Sequence, residues 1–166
     1  MALSFLAASA ILFLPVSVLK ADGKSRDATG RGPLGQVLTV SPGRQVADGQ
    51  ELTVTGKNFD KDVGIYAAYC EIPKRGEKPE HCYGGINING SSKGSIWITN
   101  HKPFLVPSSV VRKFGKGGTF KVKVKVVRFI DETDCAVTKC GVITRADHTR
   151  SDFRLADVLV PITFKK

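Results

Sequence analysis

The chain has 166 residues, of which 42% are hydrophobic and 24% are charged, so its length and composition fit one globular domain with tails. The net charge of +10 indicates an anionic partner or environment, or simply a basic surface that keeps an exported protein soluble. Long runs with apolar residues at i, i+3, i+4 and i+7 are missing from the sequence, which argues against a mainly helical fold.

The N-terminal segment, residues 1–21, is apolar and carries no charge from Ala2 to Leu19. Such a run predicts a signal peptide or an N-terminal anchor, although a basic start and a regular cleavage pattern are missing. Residues 22–35 are polar and rich in glycine, which predicts a flexible linker. We therefore expect export, with the protein secreted or held in the cell envelope, and a folded domain over residues 36–166.

The predicted domain consists of short β-type segments separated by glycine, proline, asparagine and aspartate, the residues that favour turns. We predict strands at 36–40, 52–55, 63–70, 95–99, 120–126, 140–144 and 158–164. Pro161 cannot donate a ladder hydrogen bond, so the last strand should lie at an edge or contain a bulge. About seven or eight short strands without an internal repeat predict an all-β, immunoglobulin-like sandwich of two sheets.

Residues 120–126 alternate apolar side chains with lysines, which predicts a half-buried antiparallel strand. The polar face carries Lys121, Lys123 and Lys125, spaced by about 6.6 Å along the strand. These lysines are candidate anion-binding residues, although no aromatic residue for base stacking lies between them. The alternative is a solubilising face that discourages pairing at a sheet edge.

The segment 100–118 is long, irregular and rich in apolar residues. A loop of this kind is either packed against the domain or forms a flap that faces a ligand. Trp97 lies in an alternating strand, so burial is expected first and ligand contact second. Most members of one set of aromatic residues are expected to belong to the core: Tyr66, Tyr69, Tyr83, Trp97 and Phe104.

Four cysteines allow three pairings, and export makes disulfides the expected state. The spacing favours local pairs, Cys70 with Cys82 and Cys135 with Cys140, which would pin loops rather than join the two sheets. A zinc site is the alternative. The sequence contains no C-x-x-C, and His81 directly before Cys82 cannot readily aim two ligands at one ion, so we predict no metal.

Recognisable catalytic motifs are missing: the sequence has no G-x-S-x-G, no H-E-x-x-H and no glycine-rich phosphate loop. Asp147 and His148 could orient a base, but they share a loop with Arg145 and Arg150 and have no nucleophile nearby in sequence. A solvated network of alternating charge is the simpler interpretation. We predict a non-enzymatic protein with no catalytic residue and no cofactor.

Two stretches near the ends of the predicted domain carry further motifs. The first is Leu38-Thr-Val-Ser-Pro-Gly-Arg, continued by Ala47-Asp-Gly-Gln-Glu-Leu-Thr-Val-Thr-Gly-Lys-Asn-Phe. The second is Asp134-Cys-Ala-Val-Thr-Lys-Cys-Gly-Val-Ile-Thr, followed by Val160-Pro-Ile-Thr-Phe. Together with the local cysteine spacing, these stretches resemble the neocarzinostatin family of actinobacterial chromoprotein apoproteins, over most of residues 37–164.

The resemblance implies a Greek-key sandwich of about seven strands with two disulfide-bridged hairpins beside it. In that family the cleft between sandwich and hairpins holds an apolar enediyne chromophore, which the protein shields and releases toward DNA. Candidate ligand-binding residues, most of them carried over by position, are Tyr66, Ala68, Ile72, Trp97, Gly141, Ile143 and Arg145, beside Cys70 and Cys82. The polar hairpin tip 72–80, the long segment 100–118 and the basic charge depart from the family pattern.

The main prediction is a secreted, non-enzymatic binding protein that sequesters a small apolar ligand in a cleft. One alternative is a basic cell-envelope module whose charged face binds an acidic polymer, nucleic acid or a partner protein. Another is an antimicrobial or DNA-associated chromoprotein apoprotein. A hydrolase that uses His148 has the least support. Membrane contact is expected only through the N-terminal segment, if it is retained.

Overall fold

The computed structural model describes residues 26–85, 87 and 89–166, so the predicted signal peptide or anchor at 1–21 lies outside the described residues. Among the described residues, no helix is long and apolar enough to cross a bilayer. A short 3-10 helix covers Arg154–Ala156. The strands are β1 (Ala28–Arg31), β2 (Val37–Ser41), β3 (Glu51–Lys57), β4 (Ile65–Glu71), β5 (Ser95–Ile98), β6 (Val111–Arg112), β7 (Phe120–Lys125), β8 (Phe129–Ile130), β9 (Thr133–Asp134), β10 (Cys140–Ala146) and β11 (Val158–Pro161).

The strands form two main sheets that enclose the core. The four-stranded sheet has the order β1-β2-β3-β7, and all its neighbours are antiparallel. The five-stranded sheet has the order β11-β10-β4-β5-β6, with only β5 and β6 parallel. β8 and β9 form a separate two-stranded ribbon. The predicted all-β, immunoglobulin-like sandwich is confirmed.

The first strand corrects the predicted linker. Residues 22–35 are expected to be flexible, but Ala28–Arg31 pairs in register with β2. Gly30 also lies so close to β11 that a Cβ on it would come within 2.3 Å of the Leu159 carbonyl oxygen. Backbone pairing and this close approach hold a strand with few apolar side chains, which is why hydrophobic patterning misses it. The described domain therefore begins before residue 36.

Alternation along the strands builds the core between the sheets. The four-stranded sheet contributes Leu38, Val40, Leu52, Val54, Phe120, Val122 and Val124, and the five-stranded sheet contributes Ile65, Ala67, Tyr69, Ile98, Val142, Val158 and Val160. The middle strand β4 is also buried on its other side, which carries Tyr66, Ala68 and Cys70. The outer face of the five-stranded sheet is therefore apolar and needs a cover of its own.

The lysine-rich strand has the predicted alternation and lies at a sheet edge. In β7 the phenylalanine and the valines are buried, whereas Lys121 and Lys123 are exposed and Lys125 is half-buried. β7 pairs with β3 alone in its sheet, and its ladder ends at Lys125. An edge strand with charged outward residues resists pairing with another chain.

Both predicted disulfides are confirmed, Cys70 with Cys82 and Cys135 with Cys140. Cys82 faces Cys70 in an isolated antiparallel bridge beside β4, which closes the hairpin 71–82 at its base. The second disulfide closes the loop that leads into β10. All four cysteines are thus used in pinning connections that border the five-stranded sheet.

Candidate functional site

The outer face of the five-stranded sheet brings together most of the predicted ligand-binding residues. The antiparallel register of β4 and β10 places Tyr66 opposite Arg145, Ala68 opposite Ile143 and Cys70 opposite Gly141. On the other side of β4, Trp97 lies opposite Tyr66 and Ser95 opposite Ala68. Because side chains alternate between faces along a strand, these positions share one surface.

Two excursions of the chain cover this surface from opposite sides. The disulfide hairpin 71–82 covers the cluster of Ala68, Cys70 and Ile143, with Cys82 and Leu159 packed at its margin. The long loop between β5 and β6 covers a second cluster of Tyr66, Trp97 and Val111, against which Val106 and Val110 pack. The two clusters are separate, so a gap is left between the two covers.

A small cleft occupies this gap. It encloses about 30 Å³ and is lined by Tyr66, Ala68, Glu80, Cys82, Gly85, Ser95 and Arg145. A volume of this size admits one or two water-sized groups, whereas sites for drug-sized ligands measure about 300–1,000 Å³. A larger depression of about 400 Å³ lies beside the long loop, but its lining is mainly polar and basic. The small cleft lies over Tyr66 and Ala68 of the apolar outer face, whereas the larger depression meets that face only at Val111.

Of the seven predicted ligand-binding residues, three line the cleft and four do not, and Cys82, predicted to lie beside them, also lines it. Tyr66, Ala68 and Arg145 contribute to its wall. Ile143 shares the outer face but lies in the cluster with Cys70 and Cys82, and Gly141 lies against β11, where a Cβ would come within 2.5 Å of the Val160 carbonyl oxygen. Ile72 lines a different, charged depression on the hairpin with His81. Trp97 is 1% exposed, which confirms the expectation of burial.

Three residues of the cleft wall are not among the predicted ones: Glu80, Gly85 and Ser95. Ser95 could have been found from strand pairing, because it stands opposite Ala68. Glu80 and Gly85 flank Cys82 on the returning arm of the hairpin. Their approach depends on how the hairpin folds back, and strand periodicity carries no signal for that.

The hairpin is tied to β10 and to the loop that follows it by three polar contacts. Arg145 Nη1 donates a hydrogen bond of 2.5 Å to the carbonyl oxygen of Pro79, and Arg154 Nη2 donates one of 2.8 Å to that of Glu77. Lys78 forms an ion pair with Asp152. This pair is largely exposed, so it adds little to the two hydrogen bonds that hold the hairpin closed.

Asp147 corrects the expected solvated charge network. Its side chain is buried, with 2% of the residue exposed, because Asp147 follows directly on β10 and lies beside the outer face. Trp97 Nε1 donates to its Oδ2 over 2.9 Å, and the backbone and hydroxyl of Thr149 donate to its Oδ1. Asp147 is therefore a structural acceptor for the loop and for the buried indole.

His148 packs against the aromatic residues at the end of this surface, with its ring edge-to-face to that of Trp97. Its ring lies 4.9 Å from that of Trp97, and its Nδ1 shares a hydrogen bond of 2.7 Å with the Tyr66 hydroxyl. Burial, reinforced by the charge of Asp147 and opposed by Arg145, raises the pKa of Tyr66 above its ordinary value of 10.0. The hydroxyl therefore stays protonated at neutral pH and acts as a hydrogen-bonding group, not as a nucleophile.

One part of the long loop between β5 and β6 packs on the sheet, and another part is exposed to solvent. Val106 and Val110 pack on the outer face, as a packed excursion requires. Phe104 and Leu105, by contrast, are 96% and 89% exposed, so the expectation that Phe104 belongs to the core is wrong. Lys102 Nζ donates to the carbonyl oxygen of Val106 over 2.5 Å, which closes the turn and directs its tip away from the domain.

Groups of three or more histidine, cysteine or acidic side chains arranged to hold a metal are not found among the described residues. The cysteines are engaged in disulfides, and His81 contacts two carboxylates, Glu71 and Asp131, each at 3.1 Å. His81 therefore ties the base of the hairpin to the β8–β9 ribbon.

Comparison with known proteins supports the fold more strongly than any single function. No family profile matches the chain. Thiamine biosynthesis protein X of Corynebacterium glutamicum is 26% identical over 128 residues, which cover 76% of this chain and 62% of that protein. The chain thus spans less than two thirds of the length of this curated relative.

Among solved structures, macromomycin aligns with a TM-score of 0.51, covering 78% of this chain and 99% of macromomycin at 15% identity. Macromomycin belongs to the neocarzinostatin family, so the resemblance drawn from the sequence is confirmed at the level of the fold. At this identity the likeness establishes the sandwich and leaves the ligand open.

Proposed function

We propose that this chain is an exported, non-enzymatic binding protein that holds a small, mainly apolar ligand between the disulfide hairpin and the long loop. The observation that carries the proposal is the apolar outer face of the five-stranded sheet. Tyr66, Ala68 and Ile143 line a surface that in an ordinary sandwich faces water and carries polar side chains. Two loop excursions cover it instead of a third layer.

The polar groups at the rim suit a ligand with one hydrogen-bonding end. Arg145 and the Tyr66 hydroxyl border the cleft from the sheet, and Glu80 borders it from the hairpin. Few polar groups around an apolar floor are typical of small-molecule sites. Arg145 is the natural partner for an anionic or carbonyl group of the ligand.

The cleft as it stands is too small for a ligand of drug size, so binding requires the hairpin to move. The contacts that close it are two hydrogen bonds and an exposed ion pair, whereas the Cys70–Cys82 disulfide fixes only its base. The tip can therefore swing outward while its base stays attached to β4. Such an opening exposes Ala68 and Ile143 to the ligand.

Export fits the two disulfides, which form and persist outside the reducing cytosol. A role of the apolar N-terminal segment in that export is part of the same proposal. The neocarzinostatin-type fold is consistent with a carrier role, and neither it nor the cleft defines the ligand.

Mass spectrometry of the protein purified from its own host tests this function. We expect a small molecule to co-purify, seen as added mass under native conditions and recovered by organic extraction. The exposed Glu80 at the cleft rim is the site for a blocking variant, because Glu80→Trp fills the mouth without touching the core. Glu132→Trp, also exposed but on the β8–β9 ribbon, is the matched control.

The proposal predicts that Glu80→Trp loses the added mass while Glu132→Trp retains it. Equal retention in both variants would place the ligand elsewhere, and a bare chain in every preparation would argue against a carrier. Thiamine, the compound in the name of the curated relative, is a cation, so it is a comparison compound that a mainly apolar site beside Arg145 should not hold.

A further inference from the structure

The outer face of the four-stranded sheet carries a regular array of cations and hydroxyls. The register of β7 with β3 places Lys121 opposite Thr55, Lys123 opposite Thr53 and Lys125 opposite Glu51. The same face continues across β2 and β1 through Thr39 and Ser41, then Thr29 and Arg31, and Lys57 extends it at the end of β3. None of these residues is buried.

The charge on this face is strongly one-sided. Five cationic side chains, Arg31, Lys57, Lys121, Lys123 and Lys125, stand against one carboxylate, Glu51, among the outward residues of its four described strands. Along β7 the lysines repeat about every 6.6 Å, and neighbouring strands are about 4.8 Å apart. The array is therefore extended and dense in charge.

The hydroxyl groups form rows that cross the strands. One row runs from Lys121 through Thr55 and Thr39 to Thr29, and the hydroxyls of Thr29 and Thr39 lie 3.2 Å apart. In the next row Lys123 Nζ donates to the Thr53 hydroxyl over 2.8 Å. Hydroxyls of this kind donate to and accept from the hydroxyls of a polyol while the lysines pair with its charged groups.

We infer that this face binds an anionic phosphodiester polymer whose repeat is a polyol, of the kind found in cell walls. Charge complementarity favours a polyanion, and the rows of cations and hydroxyls across four strands favour an extended chain over a compact anion. Single-stranded nucleic acid is disfavoured because its recognition relies on aromatic stacking platforms, and the outward residues of these strands include no aromatic side chain.

This inference does not depend on the proposed carrier function. The polymer-binding face belongs to the four-stranded sheet, and the cleft lies on the outer side of the other sheet. A protein with both would hold a small ligand while attached to the cell envelope. Either activity can be lost without the other.

Titration with purified poly(glycerol phosphate) tests the inference, with an oligothymidylate of equal charge as the comparison probe. If about five cations pair with phosphates, affinity for the polyol polymer falls roughly 100-fold between about 50 and about 200 mM salt. The variant K121Q/K123Q/K125Q lowers the slope of log affinity against log salt by about 2. The control K74Q/K113Q/K139Q removes the same charge from exposed lysines on other surfaces and leaves that slope nearly unchanged.

Three outcomes would overturn the inference. An equal loss in the two triple variants would mean that net charge alone attracts the polymer. Tighter binding of the oligothymidylate would assign the face to nucleic acid. Undetectable binding of poly(glycerol phosphate) at about 50 mM salt, with both variants showing the unfolding temperature of the wild type, would leave the lysines as a solubilising edge.

Discussion

The indole nitrogen of Trp97 donates a hydrogen bond of 2.9 Å to the buried carboxylate of Asp147. Trp97 lies on β5 and Asp147 follows the end of β10, so the bond spans the strand β4 that separates them in the sheet. It anchors the loop that carries His148, which in turn contacts the Tyr66 hydroxyl at the cleft. The bond between Trp97 and Asp147 thereby positions His148 against Tyr66, a residue of the cleft wall.

Replacing Asp147 with alanine should destabilise the protein by about 2 kcal/mol, because it leaves the buried indole N–H without an acceptor. Urea unfolding followed by tryptophan fluorescence measures the change. Asp152→Ala removes the same charge from a largely exposed side chain and should lower the stability much less. An equal loss of unfolding free energy in the two variants would show that the Trp97–Asp147 hydrogen bond does not contribute measurably to stability.

Tyr69 presents the opposite case, a buried polar group that finds no partner. Tyr69 is fully buried in the core, and its hydroxyl has no hydrogen-bond partner among the described residues. Burial accordingly raises the pKa of Tyr69 above its ordinary value of 10.0. Tyr69→Phe should therefore stabilise the fold by about 1 kcal/mol, measured by thermal or urea unfolding. A loss of more than about 1 kcal/mol would reveal a hydrogen bond to this hydroxyl.

His81 should make the attachment of the hairpin sensitive to pH. Its hydrogen bonds to Glu71 and Asp131, with their charges, raise the pKa of His81 above its ordinary value of 6.5. The protonated ring therefore stabilises the folded state, fully below about pH 6.5, and this stabilisation is lost as the pH rises through the raised pKa. The effect is modest because the side chain is 42% exposed.

The unfolding temperatures of the wild type and His81→Asn test this dependence. At about pH 5.5 the wild type should unfold at a higher temperature than His81→Asn. At about pH 8.5 this difference between the two proteins should be smaller. His101→Asn is the control, since His101 is more exposed and contacts a single carboxylate, Asp62. A difference that grows with pH would contradict the assignment.

The two disulfides should differ in their contribution to stability. Cys70–Cys82 closes a loop with a sequence separation of 12, and Cys135–Cys140 one of 5. The chain-entropy relation gives about 3 kcal/mol for the longer loop and about 2 kcal/mol for the shorter one. Serine double variants at each pair, compared by urea unfolding, should follow that order. The reverse order would indicate that the shorter loop stabilises the fold in another way.

Most of the fold could be predicted because its signals are local. Alternation in 120–126 places Lys121 on the outside, and cysteine spacing gives both disulfides. The strand β1 could not be found this way, because backbone pairing rather than apolar alternation holds it. For the same reason its sequence resembles a linker.

The candidate site could be predicted only in part. Tyr66, Ala68 and Arg145 are expected from the family resemblance, and the register of β4 with β10 brings them to one face and one cleft. The approach of Glu80 and the burial of Asp147 depend on how loops fold back over the sheet. Such long-range packing of irregular segments leaves no periodic trace in the sequence.

A crystal structure of protein purified from its own host tests most directly whether the outer face of the five-stranded sheet binds a ligand. We expect density for a non-protein molecule against Tyr66, Ala68 and Arg145, with the hairpin tip displaced from its contact at Pro79. Density for ordered water alone in a closed cleft, or a ligand bound on another surface, would contradict this expectation.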